Sequence, residues 1–204
     1  MLRRPFLAIT LAALAPLAVH ATPSVGQAAP DFTLKDAAGK TVKLSDFKGK
    51  HVVLEWTNPG CPYVRKHYNS GNMPATQQDA VGKGVVWLSI NSTEKDSSDY
   101  MEPSALVAWK KERKAAPTAV LMDEEGTVGR AYGARTTPHM YIVDPQGRLV
   151  YAGGIDSIPS SSTADIAKAT NYVKQALSES LAGKPISAAT TRPYGCSIKY
   201  KSAA

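Results

Sequence analysis

Cysteine is scarce in this sequence: the 204 residues contain two, Cys61 and Cys196, which lie far apart in the chain. Zinc knuckles need closely spaced Cys or His pairs, and disulfide scaffolds need more cysteines, so both classes are excluded. Long basic runs are missing too, because the 24 Lys and Arg that outnumber 17 Asp and Glu occur singly or in short pairs. A nucleic-acid interface needs a basic stripe or a recognisable module, so no nucleic-acid partner is expected.

The chain also lacks internal repeats and low-complexity tracts. It is 43% hydrophobic and 20% charged, with 15 Gly and 14 Pro, which is typical of a globular protein. Collagen-like, coiled-coil and largely disordered classes are therefore excluded. A chain of this length is expected to bury one ordinary core, so a single domain is the first expectation.

The one long apolar run stands at the beginning. Arg3 and Arg4 precede apolar residues 6–19, and a small-x-small motif ends at Ala21, a pattern typical of a secretory signal peptide cleaved after Ala21. The run is short for a membrane span and contains Pro16, so no stable membrane insertion is expected after cleavage. An uncleaved anchor remains the alternative. We therefore expect a periplasmic or secreted protein with a signal peptide at 1–21, a domain at 22–182 and a C-terminal extension at 183–204 that carries Cys196.

The hydrophobic pattern predicts strands and helices in alternation. Buried strands are expected at 51–56 and 85–90, and a third, short strand at 119–122. Hairpins are expected at 32–44 and 140–151. Helices are expected at 61–68, from 74, at 104–114, and from a capping box formed by Ser162 and Asp165 to residue 181. Residues 91–103 are expected to form a surface loop, residues 123–125 a solvated turn, and the last 20 or so an irregular tail. This order predicts an α/β fold with a central mixed sheet flanked by helices on both faces.

Cys61 is the strongest candidate for chemistry. It follows the strand at 51–56 and opens a helix, and sites in open α/β sheets lie at the carboxyl ends of strands. Unpaired N–H groups at a helix start stabilise a thiolate, and Arg65 and Lys66 add positive charge nearby. Such a thiolate can attack a disulfide or a peroxide. The alternatives are an inert buried cysteine, or a structural disulfide with Cys196, which would stabilise the fold by about 5 kcal/mol.

Four motifs carry a resemblance to a known family. VVLEWTNPGCPYV at 52–64 resembles the active-site strand, turn and helix of the thioredoxin superfamily, and TTPHMYIVD at 136–144 resembles its cis-proline loop. GQAAPDFTL at 26–34 is similar to the entry of the redoxin branch, the alkyl hydroperoxide reductase and thiol-specific antioxidant family. RPYGCSIKY at 192–200 resembles the tail of a bacterial subgroup of redoxin-domain proteins. The resemblance covers roughly residues 24–182 and implies a thioredoxin-like fold with an N-terminal β-hairpin and a C-terminal tail.

The resemblance implies that Cys61 is the attacking cysteine and that Pro138 is cis and opposite its sulfur. Thr137 would expose its backbone beside Cys61, where family members pair with a substrate strand. Peroxides or oxidised protein thiols would be the substrates, and a periplasmic thiol-disulfide electron donor would restore the enzyme. No organic cofactor and no metal is required.

The sequence departs from the family's patterns at three positions. Val64 stands where Cys-x-x-Cys oxidoreductases have their second cysteine, so a local disulfide is impossible. Asn58 and Leu54 stand where typical peroxiredoxins have threonine and proline. Thr57 and Arg135 are near the positions of expected peroxide-binding residues, so they join Asn58, Thr137 and Pro138 as candidates for substrate binding.

Cys196 could supply the second thiol that is missing at position 64. On a Pro-Tyr-Gly turn in a mobile tail, it could swing to Cys61 and resolve a sulfenic acid or a mixed disulfide. The leading hypothesis is an exported peroxiredoxin-like antioxidant, and the second is a thiol-disulfide oxidoreductase acting on protein cysteines. A third is a copper-binding or scaffold module, in which His67 and His139 could approach Cys61, although partly exposed structural histidines are the commoner case.

Overall fold

The computed structural model describes residues 22–202, so the predicted signal peptide lies outside the described residues. Seven strands form one mixed sheet in the order β2-β1-β5-β4-β3-β7-β8. Strands β3, β4 and β5 run parallel, and the other pairs are antiparallel. The strands of this sheet are β1 (Thr33–Asp36), β2 (Thr41–Lys43), β3 (Val52–Trp56), β4 (Val86–Asn91), β5 (Ala119–Met122), β7 (His139–Val143) and β8 (Leu149–Gly153).

Five α-helices connect and cover the strands: α1 (Pro62–Asn69), α2 (Asn72–Gly82), α3 (Pro103–Glu112), α4 (Thr127–Tyr132) and α5 (Tyr172–Leu181). Two short strands, β6 (Thr136–Thr137) and β9 (Cys196–Ser197), pair with each other outside the large sheet. Within residues 22–202, no helix is both long and apolar enough to cross a membrane.

The sheet divides the core in two, as the mainly apolar central strands predict. Every residue of β3 and β4 is buried, because helices cover both faces. Side chains alternate along β3, so that Leu54 and Trp56 join one cluster with α4, whereas Val53 joins the other with α1, α2 and α5. Trp87 is fully buried, and Trp109 packs half-buried against the second cluster. The α/β architecture with helices on both faces is confirmed.

The C-terminal helix begins later than the sequence predicts. Residues 163–168 form a 3₁₀ turn without a side-chain cap from Ser162. Helix α5 starts only at Tyr172, where the Asn171 side chain accepts a hydrogen bond of 3.0 Å from the Lys174 N–H. The proposed capping box was wrong because Asp165 instead accepts a hydrogen bond from Ser160.

Two polar segments expected at the surface are partly buried. Strand β4 extends to Asn91, and Ser92 and Thr93 after it are also buried. Asp123 is 3% exposed, and its carboxylate accepts hydrogen bonds from the Ser92 hydroxyl and from two N–H groups at the start of α4. Burial raises the pKa of Asp123, although these hydrogen bonds oppose the shift. Asp123 therefore holds the start of helix α4. Neither this helix nor the role of Asp123 was predicted from the sequence.

Candidate active site

Cys61 lies where a buried strand turns into a helix. The turn at 57–60 leads from β3 to Cys61, which is the N-cap of α1, and Pro62 occupies the first helical position, where proline needs no hydrogen-bond partner. The Cys61 side chain is 3% exposed, and its thiol donates a hydrogen bond of 3.0 Å to the Thr137 carbonyl. The Thr137–Pro138 peptide bond is cis, as expected. The strand end, the helix start and the cis-proline loop therefore meet at one sulfur.

Asn58 holds the turn that presents Cys61. Its side-chain oxygen accepts a hydrogen bond of 2.7 Å from the Gly60 N–H, and its amide donates to the Thr93 hydroxyl at 2.7 Å and to the Asp99 carbonyl at 3.0 Å. Both amide hydrogens are thus committed to the loop. Thr57 is buried beside it, and its hydroxyl has no hydrogen-bond partner among residues 22–202.

The C-terminal tail brings Cys196 to Cys61. Strands β6 and β9 pair antiparallel, with Thr137 opposite Cys196 and Thr136 opposite Ser197. The Cys196 N–H lies 3.4 Å from the Cys61 sulfur, to which it donates, and both cysteines are free. Burial and the contact with Cys61 raise the pKa of Cys196. The tail is irregular apart from β9, as expected, and it already holds Cys196 beside Cys61, so no swing is needed to bring the two cysteines together.

A buried polar cluster anchors the tail just before Cys196. The Tyr194 hydroxyl donates to the Asp156 carboxylate and lies 3.1 Å from the His67 ring. Lys66 is 2% exposed and pairs with Asp156 at 3.3 Å. Burial and the contact with Asp156 raise the pKa of Tyr194. We name this group, Tyr194 with Asp156, His67 and Lys66, the tail anchor.

Further contacts hold the tail on both sides of the tail anchor. Thr191 pairs through its backbone with Ala152 at the edge of β8. After Cys196, the Ile198 N–H donates to the Arg135 carbonyl at 3.1 Å, and the Tyr200 hydroxyl donates to the Ala134 carbonyl at 2.8 Å. Cys196 is therefore fixed from two directions.

Gly195 permits the closest approach of the tail. Its φ is +136°, a conformation that side chains other than glycine rarely adopt. A Cβ atom at this position would overlap the Thr137 carbonyl oxygen. Glycine is thus required for the tail to lie against the cis-proline loop.

A small cavity remains beside the two cysteines. Its volume is about 40 Å³, and it is lined by Asn58, Gly60, Cys61, Thr93, Asp99, Thr137 and residues 196–199. A water molecule occupies roughly 30 Å³ in the liquid, so the cavity has room for a molecule of about that size. Among the predicted substrate-binding residues, Asn58 and Thr137 line it, Pro138 adjoins it through Thr137, and Thr57 and Arg135 do not line it.

Charged and imidazole groups near Cys61 are placed differently from expectation. Arg65 is exposed and donates to the Gly60 carbonyl at 3.1 Å, while Lys66 is buried in the tail anchor. The Arg135 side chain is exposed, although its backbone contacts Ile198.

His67 and His139 are buried and not partly exposed. His67 is 0% exposed and uses both ring nitrogens, one toward Tyr194 and the other 2.8 Å from the Asn72 amide. His139 lies beside the Tyr141 ring, 3.3 Å from its hydroxyl. Burial lowers the pKa of His67 to about 4 and that of His139 to about 3, so both rings are neutral at pH 7. Across residues 22–202, no three His, Cys, Asp or Glu side chains are grouped to hold a metal.

A second buried network lies in β3, below the site. The Glu55 carboxylate is 0% exposed and accepts four hydrogen bonds, from Tyr68 at 2.6 Å, Gln77 at 3.0 Å, Trp87 at 2.8 Å and Ser89 at 2.8 Å. The Lys110 ammonium lies 4.0 Å from it and donates to Tyr68 and Ser89. Burial lowers the pKa of Lys110, and the Glu55 charge opposes that shift. This network ties β3 to α1, α2, β4 and α3.

The sequence reading missed the tail anchor. Tyr194 and Gly195 directly precede Cys196. That adjacency was the available signal that residues of the tail other than its cysteine contribute to the site. Asp156 gave no signal, because its partners come from distant parts of the chain.

The chain is similar to a known protein family and to two named relatives. The model of the AhpC/TSA family matches residues 25–152. Peroxiredoxin Bcp of Bacillus subtilis is 29% identical over 148 residues, covering 63% of this chain and 83% of the relative. Thiol-disulfide oxidoreductase ResA of Geobacillus thermodenitrificans is 29% identical over 133 residues, covering 62% of this chain and 67% of the relative.

The fold is also found among solved structures. The thioredoxin domain of a thiol-disulfide oxidoreductase from Bacteroides vulgatus superposes with a TM-score of 0.52 at 24% identity, covering 72% of this chain and 98% of that one. The expected thioredoxin-like fold is confirmed.

Proposed function

The chain belongs to the AhpC/TSA family of thiol-dependent oxidoreductases, and from that premise we propose that it is an exported thiol peroxidase in which Cys61 attacks and Cys196 resolves. The observation that carries this proposal is the pairing of β6 with β9, which holds the Cys196 N–H 3.4 Å from the Cys61 sulfur. Val64 stands where Cys-x-x-Cys oxidoreductases have their second cysteine, and in this proposal Cys196 of the tail takes over that role.

The reaction takes two steps. The Cys61 thiolate attacks the terminal oxygen of a hydroperoxide, so that an S–O bond forms and the O–O bond breaks, and the leaving alkoxide or hydroxide takes a proton. The Cys196 thiol then gives up its proton and attacks the sulfenic sulfur of Cys61. An S–S bond forms, the S–O bond breaks and water leaves. A periplasmic dithiol donor returns two electrons and two protons by thiol-disulfide exchange.

The cavity beside the cysteines favours a small oxidant. Its volume of about 40 Å³ leaves little room beside the docked tail, so a small hydroperoxide fits this site more easily than a lipid hydroperoxide. The Cys196 N–H points at the Cys61 sulfur and helps to stabilise negative charge there. Hydrogen peroxide is therefore the proposed oxidant.

A second candidate function is thiol-disulfide exchange with protein cysteines. It is supported by the shortage of peroxide-activating donors: both Asn58 amide hydrogens are committed to the loop, and the Arg135 side chain is exposed outside the cavity. Stabilisation of a leaving oxygen needs donors aimed at that oxygen. The relative named as a thiol-disulfide oxidoreductase is consistent with this candidate.

Intact mass after rapid quench distinguishes the two functions. The reduced protein is mixed with one equivalent of hydrogen peroxide, alongside Cys61→Ser and Cys196→Ser. The peroxidase predicts fast loss of two hydrogens in the wild type, no change in Cys61→Ser, and addition of oxygen in Cys196→Ser. Slow or absent reaction with peroxide, together with fast reduction of a protein disulfide, would establish the second function and refute the first.

Export is proposed from the leader pattern at residues 1–21. The full chain is expressed in a Gram-negative host, and the mass of the protein in the periplasmic fraction is measured. We expect a chain that begins at Thr22. Unprocessed protein confined to the cytosol would refute export.

A further inference from the structure

A second cavity lies at the end of the sheet opposite Cys61. It is bounded by His51 just before β3, by the turn at 144–148 between β7 and β8, and by residues 183–189 after α5. The five residues of β3, about 16 Å of strand, separate it from the active-site turn. Its volume is about 540 Å³, within the range of roughly 300–1,000 Å³ that is typical of small-molecule sites. We name it the distal cavity.

A bulge in β8 opens one wall of the distal cavity. The pairing of β7 with β8 shifts register between Ile142 and Val143, which leaves Val150 without a partner in β7. Bulges bend the edge of a sheet and are common next to functional sites. The chain after α5 joins the edge of β8 farther along, where residues 189–191 pair with Ala152. The distal cavity is therefore the gap between the bulged end of β8 and the start of the tail.

Most of the residues that line the distal cavity are apolar. Val25, Pro145, Val150, Pro185 and Ile186 are among them. Each CH₂ group of a ligand that leaves water for such a surface tightens binding by about fourfold. The lining therefore favours a ligand with an apolar chain.

The rim of the distal cavity carries an uncompensated positive charge. Lys184 lines the cavity and makes no salt bridge within residues 22–202. The nearby Glu179 carboxylate is engaged by Ser187, which donates to it at 2.7 and 2.9 Å. Arg148, by contrast, is paired with Asp144 at 2.8 Å. An anionic group would find its partner at Lys184.

A polar pair on the same lining supplies a hydrogen-bond donor. His51 Nε2 lies 2.8 Å from the Ser180 hydroxyl, and no other hydrogen bond of the His51 side chain occurs in the described part of the chain. Burial lowers the pKa of His51 and the Asp144 charge opposes that shift, so the ring is mainly neutral at pH 7. When the Ser180 hydroxyl donates to Nε2, the ring proton is on Nδ1 and can be donated to an anion.

We propose that the distal cavity binds a small free carboxylate with an apolar chain, a fatty acid of medium length, whose carboxylate lies between Lys184 and His51 and whose chain lies along the apolar lining. The charge of Lys184 identifies the head group, and the lining identifies the chain. This site does not involve the chemistry of Cys61, so it can be tested separately from the proposed function.

Binding at the distal cavity should stabilise the docked tail. Residues 183–189, which form one side of the cavity, continue directly into the segment that pairs with Ala152 and then places Cys196 beside Cys61. A ligand held between His51 and this segment has a higher affinity for the docked tail than for a released one. It must therefore shift the equilibrium toward the docked tail by that difference in affinity.

The test titrates octanoate into the reduced, ¹⁵N-labelled full chain, below the concentration at which octanoate forms micelles, and follows the amide signals by NMR. We expect saturation of one site, with the largest shift changes at Val150, Ser180 and Ile186. Hexanoate lacks two CH₂ groups and should bind about tenfold more weakly. Octylammonium, which has the same chain and the opposite charge, should not bind.

A charge variant locates the carboxylate. Lys184→Gln should weaken octanoate binding by about threefold to fivefold, near the upper end for an exposed ion pair. Lys111→Gln is the matched control, because Lys111 is exposed and does not line the cavity. It should leave the affinity unchanged.

Hydrogen exchange measures the link to the tail. The Thr191 amide donates to the Ala152 carbonyl at 3.1 Å in the docked tail. Octanoate at ten times its Kd should slow exchange of this amide about tenfold if it binds the docked tail alone.

Four results would overturn the inference. Shift changes that spread over the surface without saturation, or equal binding of octylammonium, would refute the site. Equal affinities of Lys184→Gln and Lys111→Gln would show that the rim does not hold the carboxylate. Saturable binding with unchanged Thr191 exchange would refute the link to the tail. Loss of the peroxide reaction, with octanoate binding intact, would instead refute the proposed function alone.

Discussion

The buried carboxylate of Glu55 offers a demanding test of how the central sheet is held together. Glu55→Gln keeps the shape of the side chain but removes the charge that balances Lys110, which lies 4.0 Å away and is buried. It also replaces one acceptor oxygen by an NH₂ group, directed at donors that need an acceptor. Leaving one member of a buried ion pair unpaired costs about 3–5 kcal/mol.

That loss should be visible as heat sensitivity. For a chain of this size, 1 kcal/mol shifts the melting temperature by about 2–4 °C, so a fall of about 10 °C is expected. Urea unfolding measures the free energy directly. Lys110→Met added to Glu55→Gln should recover part of the loss, because two uncharged side chains leave no unpaired buried charge.

The pH dependence of the variant has a definite sign. Burial lowers the pKa of Lys110 from 10.5 in the folded protein, and Glu55 opposes this. Without Glu55 the folded pKa falls further, so between that value and 10.5 the unfolded chain binds more protons than the folded one. The deficit of Glu55→Gln should therefore shrink as the pH rises toward 10.5. A cost below about 1 kcal/mol, or no recovery in the double variant, would refute this account of the network.

Three further changes probe the site and the tail. Tyr194→Phe loses a hydrogen bond to a carboxylate, worth about 1.5–3 kcal/mol, and should loosen the tail, so that iodoacetamide alkylates the buried Cys61 faster; unchanged alkylation would contradict the anchoring role. Gly129→Ala places a Cβ on the Tyr200 hydroxyl and should lower stability to urea by about 1–3 kcal/mol, whereas the Gly82→Ala control should not. Asn58→Ala removes the support of the turn and should speed alkylation of the buried Cys61 by iodoacetamide; unchanged alkylation would show that the turn holds itself.

The strands were predictable because their signal is local. The apolar runs at 52–56 and 86–91 are buried along their whole length, as continuous hydrophobicity indicates. The hairpin of β7 and β8 turns at Asp144, whose side chain accepts N–H groups within its own turn. The placement of Cys61 at a strand end and helix start followed from the same local pattern, whereas the cis Thr137–Pro138 bond was implied by the family resemblance.

What escaped prediction depends on contacts between distant residues. Asp123 looks like part of a polar turn, and only its contact with Ser92 explains its burial. Ser162 and Asp165 satisfy the spacing rule for a helix start, yet the helix is capped nine residues later, by Asn171. The tail's docked position requires Tyr194 to meet Asp156, and no periodicity in either segment indicates that pair.

The antiparallel register of β6 and β9 makes the length of the tail as important as its composition. Side chains along a strand alternate in direction, so moving the pairing by one residue turns each of them to the opposite face. Deleting one residue between the Tyr194 contact and Cys196 would then leave the cysteine in the chain but direct it away from Cys61. This chain should therefore tolerate insertions before the Thr191 contact and after Tyr200. It should not tolerate them between Tyr194 and Cys196, which are separated by Gly195 alone.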